Sequence, residues 1–521
     1  MIPSQPWRKL AAATMFRRAP AAAVLSLLGL VAWVYGAGLD RSPVYLVHDE
    51  VVYAINAHAI ATTLRDINGQ FLPLSFHVTG GFFATPVNIY LTAVFLKVLP
   101  LTEVTTRLPS VVIGLVNIVL LFAIARKVFK RDWLALVAAG VFALTPAHFM
   151  HSRLGTDHEY AVTAVLAWAL CLIGRDALSM RRLAVAGAIL GAGVYTYLGA
   201  LITMPVCVAI TWAVLWRKGE RSVAPFAAVA GGFALMLVPF VAWHLSHPSQ
   251  YLNQMKMYSL GETPATESVG LVDRVAVYWD YFNPSFLFFA GDTGLINGTR
   301  YTGVFLLPVL LLLPVGLARL FTFLKSPSML LVALGLLTAP VAAAVVGEPY
   351  RINRALVLLP FVSLIAAMGV AVMWTARTSW SRAAVILLLI LMPLQFAGFY
   401  RDYFGDYRLR SAKWLEYNIG GGLEEIIRQQ PSSGAAPVYI ADNIQWAPYY
   451  WQFYQAKHGR PDLARGTTFV DVQAFDAAAI PPGSVLLCRI KDESALLAAG
   501  LTRVAAIPEP DGVPWFAVLR R

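Results

Sequence analysis

Apolar runs of about 17–25 residues, the length a bilayer's hydrocarbon core demands of a helix, recur from Val24 to Phe399. No other feature constrains the chain so tightly. In lipid every backbone polar group must be bonded within its own segment, so such runs fold as helices. The composition agrees: 58% of residues are hydrophobic and only 13% charged, against roughly 25% charged in soluble domains. The first run is long and others follow it, which argues against a cleaved signal peptide. Cys171, Cys207 and Cys488 fall in separate segments, so neither a disulfide nor a cysteine metal site is suggested.

The formal charge of +12 raises nucleic acid or anionic lipid as partners, and its distribution decides against nucleic acid. Lys and Arg sit in short clusters between apolar runs, the pattern of loops retained on the cytoplasmic side beside membrane lipids. Taking Arg8, Lys9, Arg17, Arg18, Arg126–Arg131, Arg175–Arg182, Arg217–Arg221, Arg319, Lys325, Arg377 and Arg382 as cytoplasmic orders about 11 spans. They are 20–38, 106–125, 133–149, 158–175, 183–198, 200–216, 224–244, 303–323, 328–346, 355–374 and 382–399. The N-terminus is then cytoplasmic and the C-terminus outside.

Two segments of the outer loop 39–105, at 49–64 and 86–99, have helical character but do not fit as spans. They read as helices lying on the membrane surface. A second outer loop covers 245–302. Beyond residue 400, "PVYIAD", "TTFVDV", "SVLLCRI" and "WFAVLRR" read as strands alternating with helices near Tyr449–Lys457 and Glu493–Ala499. The expected fold is an α-helical polytopic membrane protein, 1–400, followed by a small extracytoplasmic α/β domain, 401–521.

Few ionisable residues interrupt the spans, which weighs against an ion-coupled transporter. They collect instead in three outer segments: His48-Asp49-Glu50, "HFMHSRLGTDHEY" (148–160) and "GEPYRINR" (347–354). Asp49 is either a helix N-cap, with Glu50 favouring the helix dipole, or a general base that takes a proton from an acceptor hydroxyl. Thr156 and Glu159 have the spacing of a capping box, leaving Asp157 and His158 unassigned. His148, His151 and His158 with Asp157 are also candidate ligands for a divalent metal, the competing reading being ordinary hydrogen bonding. Arg351 and Arg354, spaced i,i+3 and on the side disfavoured for cations, would share one helix face. Their forked guanidinium groups suit phosphate, unless they anchor to lipid headgroups; Arg153 presents a similar case. Asn297-Gly298-Thr299 matches a glycosylation sequon.

The acidic pair after the first membrane helix, "RLPSVVIGLVNIVLLFAIARKVF" (107–129), the outer "HSR…D", "YFNPSFLFFAGD" (281–292) and "YRINRALVLLP" (350–360) together resemble the polyprenyl-phosphate-dependent GT-C glycosyltransferases. The nearest branch is the protein mannosyltransferase and aminoarabinose transferase group. The resemblance covers about residues 40–400. It implies an inverting transfer from a polyprenyl-phosphate-linked sugar to a glycolipid, polysaccharide or protein hydroxyl at the outer face of a bacterial inner membrane. Asp49 is implied as the catalytic acid residue, and the adjacent Glu50 would orient the base or the acceptor. Family members often carry a Lys-Pro-Pro stretch whose lysine approaches lipid phosphate. Here "FFATPVNIY" (82–90) has no lysine, so Arg351 and Arg354 are expected as substitutes, with Arg153 behind them. Asp157, His158 and His48 are expected toward acceptor or metal. A membrane polysaccharide polymerase or ligase is the alternative enzyme, and a lipid or oligosaccharide transporter the alternative non-enzyme.

Overall fold

A computed structural model of the chain describes residues 21–78, 82–174, 178–257, 270–376, 378–431 and 436–521. The basic residues Arg8, Lys9, Arg17, Arg18, Arg175 and Arg377 lie outside them. Six of the described helices are long and apolar enough to cross a membrane: Glu103–Phe129, Ala200–Arg217, Val223–Ser246, Pro327–Val346, Leu358–Thr375 and Ser379–Phe404. Val24–Gly36, Asp132–Ala143, Tyr160–Leu172 and Leu307–Thr322 are apolar but shorter, and Met180–Gly193 completes the expected set.

The chain divides into two compact units, with one border at Arg401/Asp402 and two earlier segments grouped with the C-terminal part. The first comprises Met1–Ala37, Leu74–Asn88 and Ser110–Arg401; the second comprises Gly38–Pro73, Ile89–Pro109 and Asp402–Arg521. Most of the segment 39–105 therefore belongs with the C-terminal segment.

The first unit is a helical bundle whose contacts depend on small residues, because lipid offers no hydrophobic drive for helix association and close backbone approach must supply it. A Cβ on Gly187 would run into the Val229 carbonyl, and one on Gly232 into the Ala184 carbonyl. Gly316 and Gly369 meet the carbonyls of Ile365 and Leu312 in the same way. The run expected as one helix over 133–149 is two, Asp132–Ala143 and Pro146–His151. Pro146 lacks an N–H and disfavours helical geometry in the residue before it, so the first helix stops and a second starts with proline in its first turn.

The second unit is built on a five-stranded mixed sheet. Its order is Thr467–Val470, Val438–Ala441, Val485–Arg489, Pro514–Arg520, Thr502–Pro508. The first three strands run parallel and the last two pair antiparallel. The helices Ile419–Gln429, Ala447–Lys457 and His48–Thr63 contribute Leu423, Ile426, Tyr450, Phe453, Val51 and Ile55 to one core with the sheet. The segment 49–64 is thus helical as expected, but its apolar positions are core positions: Val51 to Ala57 are all buried.

Candidate active site

In the second unit, Arg107 organises the chain that leads into the helix His48–Thr63. Its guanidinium donates to the carbonyls of Leu39 at 2.7 Å, Pro43 at 2.9 Å and Tyr45 at 2.6 Å. It also grips Glu50 through Nε at 2.9 Å and Nη2 at 3.2 Å. Glu50 in turn accepts the Val47 N–H at 3.1 Å, which caps the helix. Both partners are fully buried, and an ion pair in that setting endures only because each polar atom finds a partner.

The capping expectation for Asp49 is therefore corrected. Val47 occupies the N-cap position, Glu50 supplies the capping carboxylate, and Asp49 stands beside it with its side chain 37% exposed. Asp49 Oδ1 lies 3.5 Å from His48 Nε2. On its other side His48 Nδ1 meets Glu416 Oε1 at 2.5 Å. Burial pulls the His48 pKa down, but the Glu416 hydrogen bond and the charges of Asp49 and Glu416 prevail and raise it above the ordinary histidine value.

In the first unit, the segment 347–354 folds as a tight loop. Gly347 takes a left-handed conformation (φ 84°) that ends the helix Val341–Val346, as glycine permits. The Tyr281 hydroxyl sits 2.8 Å from the Glu348 carbonyl and 3.0 Å from that of Arg351. Asp292 accepts the Ile352 and Gly294 N–H groups at 2.6 and 2.7 Å. Burial pushes the Asp292 carboxyl up to about 6 against those bonds and the nearby Arg351 charge.

The two arginines do not share a helix face. Ile352–Arg354 is a single 3₁₀ turn with Arg351 preceding it. Arg351, 3.6 Å from Asp292, lines an open polar recess with Thr293, Asn297, Glu348 and Asn353. Asn297 of the sequon is buried there. Arg354 holds Glu348 with two bonds of 3.0 and 3.1 Å and approaches the Tyr197 hydroxyl at 3.3 Å. It lines a separate cavity of about 480 Å³ whose walls are mostly apolar, among them Val194, Leu198, Ile202, Phe240 and Val346, with Tyr195 and His244 as polar breaks. Arg153 lines neither. It is fully buried, donates to the Tyr35 carbonyl at 2.5 Å and stacks over Phe149 at 5.2 Å.

The segment 148–160 behaves differently from expectation. Glu159 caps nothing with its side chain. It is buried against His148 at 2.6 Å and accepts from Asn117 Nδ2 at 3.0 Å, so the capping box with Thr156 is absent. Nor do the histidines assemble as ligands. His151 meets its own helix at the Ala147 carbonyl, and Asp157 accepts from Thr85 at 2.8 Å. His158 lies between Thr156 Oγ1 at 3.0 Å and Asn353 Nδ2 at 3.1 Å. Burial, with His151 and Arg354 nearby, holds the His158 pKa well below its ordinary value. Among the described residues no three His, Cys, Asp or Glu side chains are placed to hold a metal ion.

Sequence reasoning passed over Arg107, Glu348, Tyr197, Asp292, Asn353 and Glu416. The first carried a signal, a cation opening a helix that runs on into an apolar span. Glu416 carried none, lying 368 residues from His48.

The profile of the dolichyl-phosphate-mannose-protein mannosyltransferase family matches residues 84–244. No curated protein sequence matches the chain. Two solved structures share its fold over nearly its whole length. ArnT from Cupriavidus metallidurans in the apo state aligns with a TM-score of 0.59 at 16% identity, covering 96% of this chain and 98% of that one. The same protein bound to undecaprenyl phosphate aligns with a TM-score of 0.56 at 15% identity, covering 96% and 98%. The chain thus shares the fold of ArnT over nearly its whole length, and the mannosyltransferase profile matches its residues 84–244.

Proposed function

We propose that this protein transfers a sugar from a polyprenyl-phosphate carrier to an acceptor hydroxyl, with inversion, at the outer face of a bacterial cytoplasmic membrane. The observation that carries the reading is the apolar cavity of about 480 Å³ with Arg354 in its lining. A polyprenyl phosphate is an apolar chain ending in an anion, and such a cavity with a forked cation fits both parts. The like-folded ArnT was solved with undecaprenyl phosphate bound, which supports the same ligand class here. Glu348 is 43% exposed and is the partner that phosphate would displace from Arg354.

Asp49 is the proposed base. It takes the acceptor's hydroxyl proton as that oxygen attacks the anomeric carbon. The bond from that carbon to the phosphate oxygen breaks, and polyprenyl phosphate leaves with the bonding electrons. Glu50, enclosed with Arg107, touches no substrate in this scheme and positions Asp49 by fixing the helix start. The acceptor class is a glycolipid, polysaccharide or protein. Purified protein in nanodiscs, given synthetic polyprenyl-phosphate sugars, should release polyprenyl phosphate only when an acceptor is present. Sugar-independent binding without any release would overturn the transferase reading.

The basic clusters of the sequence support an N-terminus inside and a C-terminal segment outside. A cysteine introduced at Gly219 should resist an impermeant thiol reagent in intact cells, and one at exposed Asp462 should react. Labelling of Gly219→Cys alone would reverse the orientation.

A further inference from the structure

His48 is held from several directions within the second unit. Its Nδ1 meets Glu416 Oε1 at 2.5 Å, and Glu416 Oε2 accepts from the Tyr450 hydroxyl at 2.8 Å. The imidazole lies parallel to the Trp446 ring, 5.0 Å between centroids and 22° between planes. Its Nε2 faces Asp49 Oδ1 at 3.5 Å.

The backbone around this arrangement is unusual. Glu416, Tyr417 and Trp446 adopt left-handed conformations with φ of 65°, 59° and 62°. A bulky residue at positive φ costs free energy that its surroundings must overrule, and such positions concentrate at functional sites. The surroundings here are specific. The Asn418 N–H donates to Glu509 Oε1 at 2.9 Å, Asn418 Nδ2 donates to the Pro508 carbonyl at 3.0 Å, and Tyr417 stacks on Trp515 at 3.9 Å. The strained turn thus brings a carboxylate to His48 and is fastened there by residues of the C-terminal segment.

We propose that His48 is a positioning residue for Asp49, with Glu416 as the group that orients it. The proposal rests on Asp49 being the base. With Nδ1–H donated to Glu416, the ring is fixed so that Nε2 addresses the Asp49 carboxylate. In the imidazolium form that contact is N–H to carboxylate; once Nε2 loses its proton, a lone pair faces a negative oxygen. The groups facing His48 are Asp49 on its own helix, Glu416, Tyr450 through Glu416, and the Trp446 ring. The two carboxylates favour the protonated ring, so productive orientation should persist to higher pH than a bare histidine would allow. The C-terminal segment is then part of the catalytic apparatus through one carboxylate.

The test measures kcat and KM for a polyprenyl-phosphate sugar across the neutral and alkaline range, using full-length protein in nanodiscs. Glu416→Gln should lower kcat by up to about 10²-fold, the scale of a small misplacement of a reacting group, with donor KM unchanged. Its alkaline limb should move to lower pH, and Glu416→Asp should restore part of both. A folded Glu416→Gln protein with the wild-type kcat and pH profile overturns the proposal. Where Glu416→Gln does not fold, His48→Gln replaces it: its side chain cannot titrate, so the alkaline limb must vanish, and a persisting limb overturns the proposal. Asp49→Asn separates the two ideas. If that variant is inactive while the Glu416→Gln profile is unchanged, only the positioning role fails; if it is fully active, the base assignment itself fails.

Discussion

Two short segments each present a pair of like charges, and the pairs are used in opposite ways. Asp49 and Glu50 are neighbours on one helix turn in the second unit, yet Glu50 is wholly enclosed with Arg107 while Asp49 stays 37% exposed. Arg351 and Arg354 are three residues apart in the first unit, both keep some exposure at 35% and 15%, and both pair with a carboxylate. The acids divide by depth and the arginines by which cavity they line. In the acidic pair the buried member is structural because every polar atom is already bonded. In the basic pair each ion pair is open to competition, so the cavity walls decide what competes.

Breaking the acidic pair on its buried side should have the largest effect on stability. Glu50→Ala leaves the Arg107 charge enclosed without its counter-ion, a loss of about 3–5 kcal/mol, read as a sharp fall in melting temperature and in yield of folded protein. A Glu50→Ala protein as stable as wild type would remove the contrast between the two acids.

The basic pair should separate in donor binding. Arg354→Ala should weaken the affinity for a polyprenyl phosphate by about 1.5–3 kcal/mol, the worth of a hydrogen bond to a charged group, whereas Arg351→Ala should change it little. Equal losses in the two variants would show that the two cavities act as one. Glu348→Gln should tighten binding by releasing Arg354 from its internal partner.

The smallest expected effect is a pH dependence of stability. The folded-state pKa of His48 is raised, so its contribution is fully present below the ordinary histidine value near 6.5 and is lost as pH rises through the folded value. The melting temperature of wild type should fall across that window, and the slope should flatten in Glu416→Gln. Identical slopes in both proteins would detach His48 from Glu416.

Sequence and structure agree where the signal is a long periodic or apolar run, because burial of such a run admits one answer. The helices Glu103–Phe129, Val223–Ser246 and Leu358–Thr375, and the strands Val438–Ala441 and Val485–Arg489, were legible for that reason. The strand Thr502–Pro508 was not, since its outward positions expose Thr502, Arg503 and Pro508 and it is edge-placed. The segment 148–160 misled because local capping chemistry lost to tertiary contacts: Glu159 found His148 and Asn117 instead of its own helix end. The residues of the candidate site were legible as types and poorly legible as roles. Asp49 and Glu50 are adjacent acids in sequence, and the burial of Glu50 follows from Arg107, 57 residues away from it.

The proposed reaction turns on Asp49 as the base. Asp49→Asn keeps the side chain's size but removes the proton acceptor. The decisive measurement is turnover of a polyprenyl-phosphate sugar by purified Asp49→Asn, alongside its melting temperature and donor affinity. The kcat should fall by about 10²–10⁴-fold with melting temperature and donor affinity at wild-type values. Wild-type turnover in a folded, donor-binding Asp49→Asn protein would contradict it.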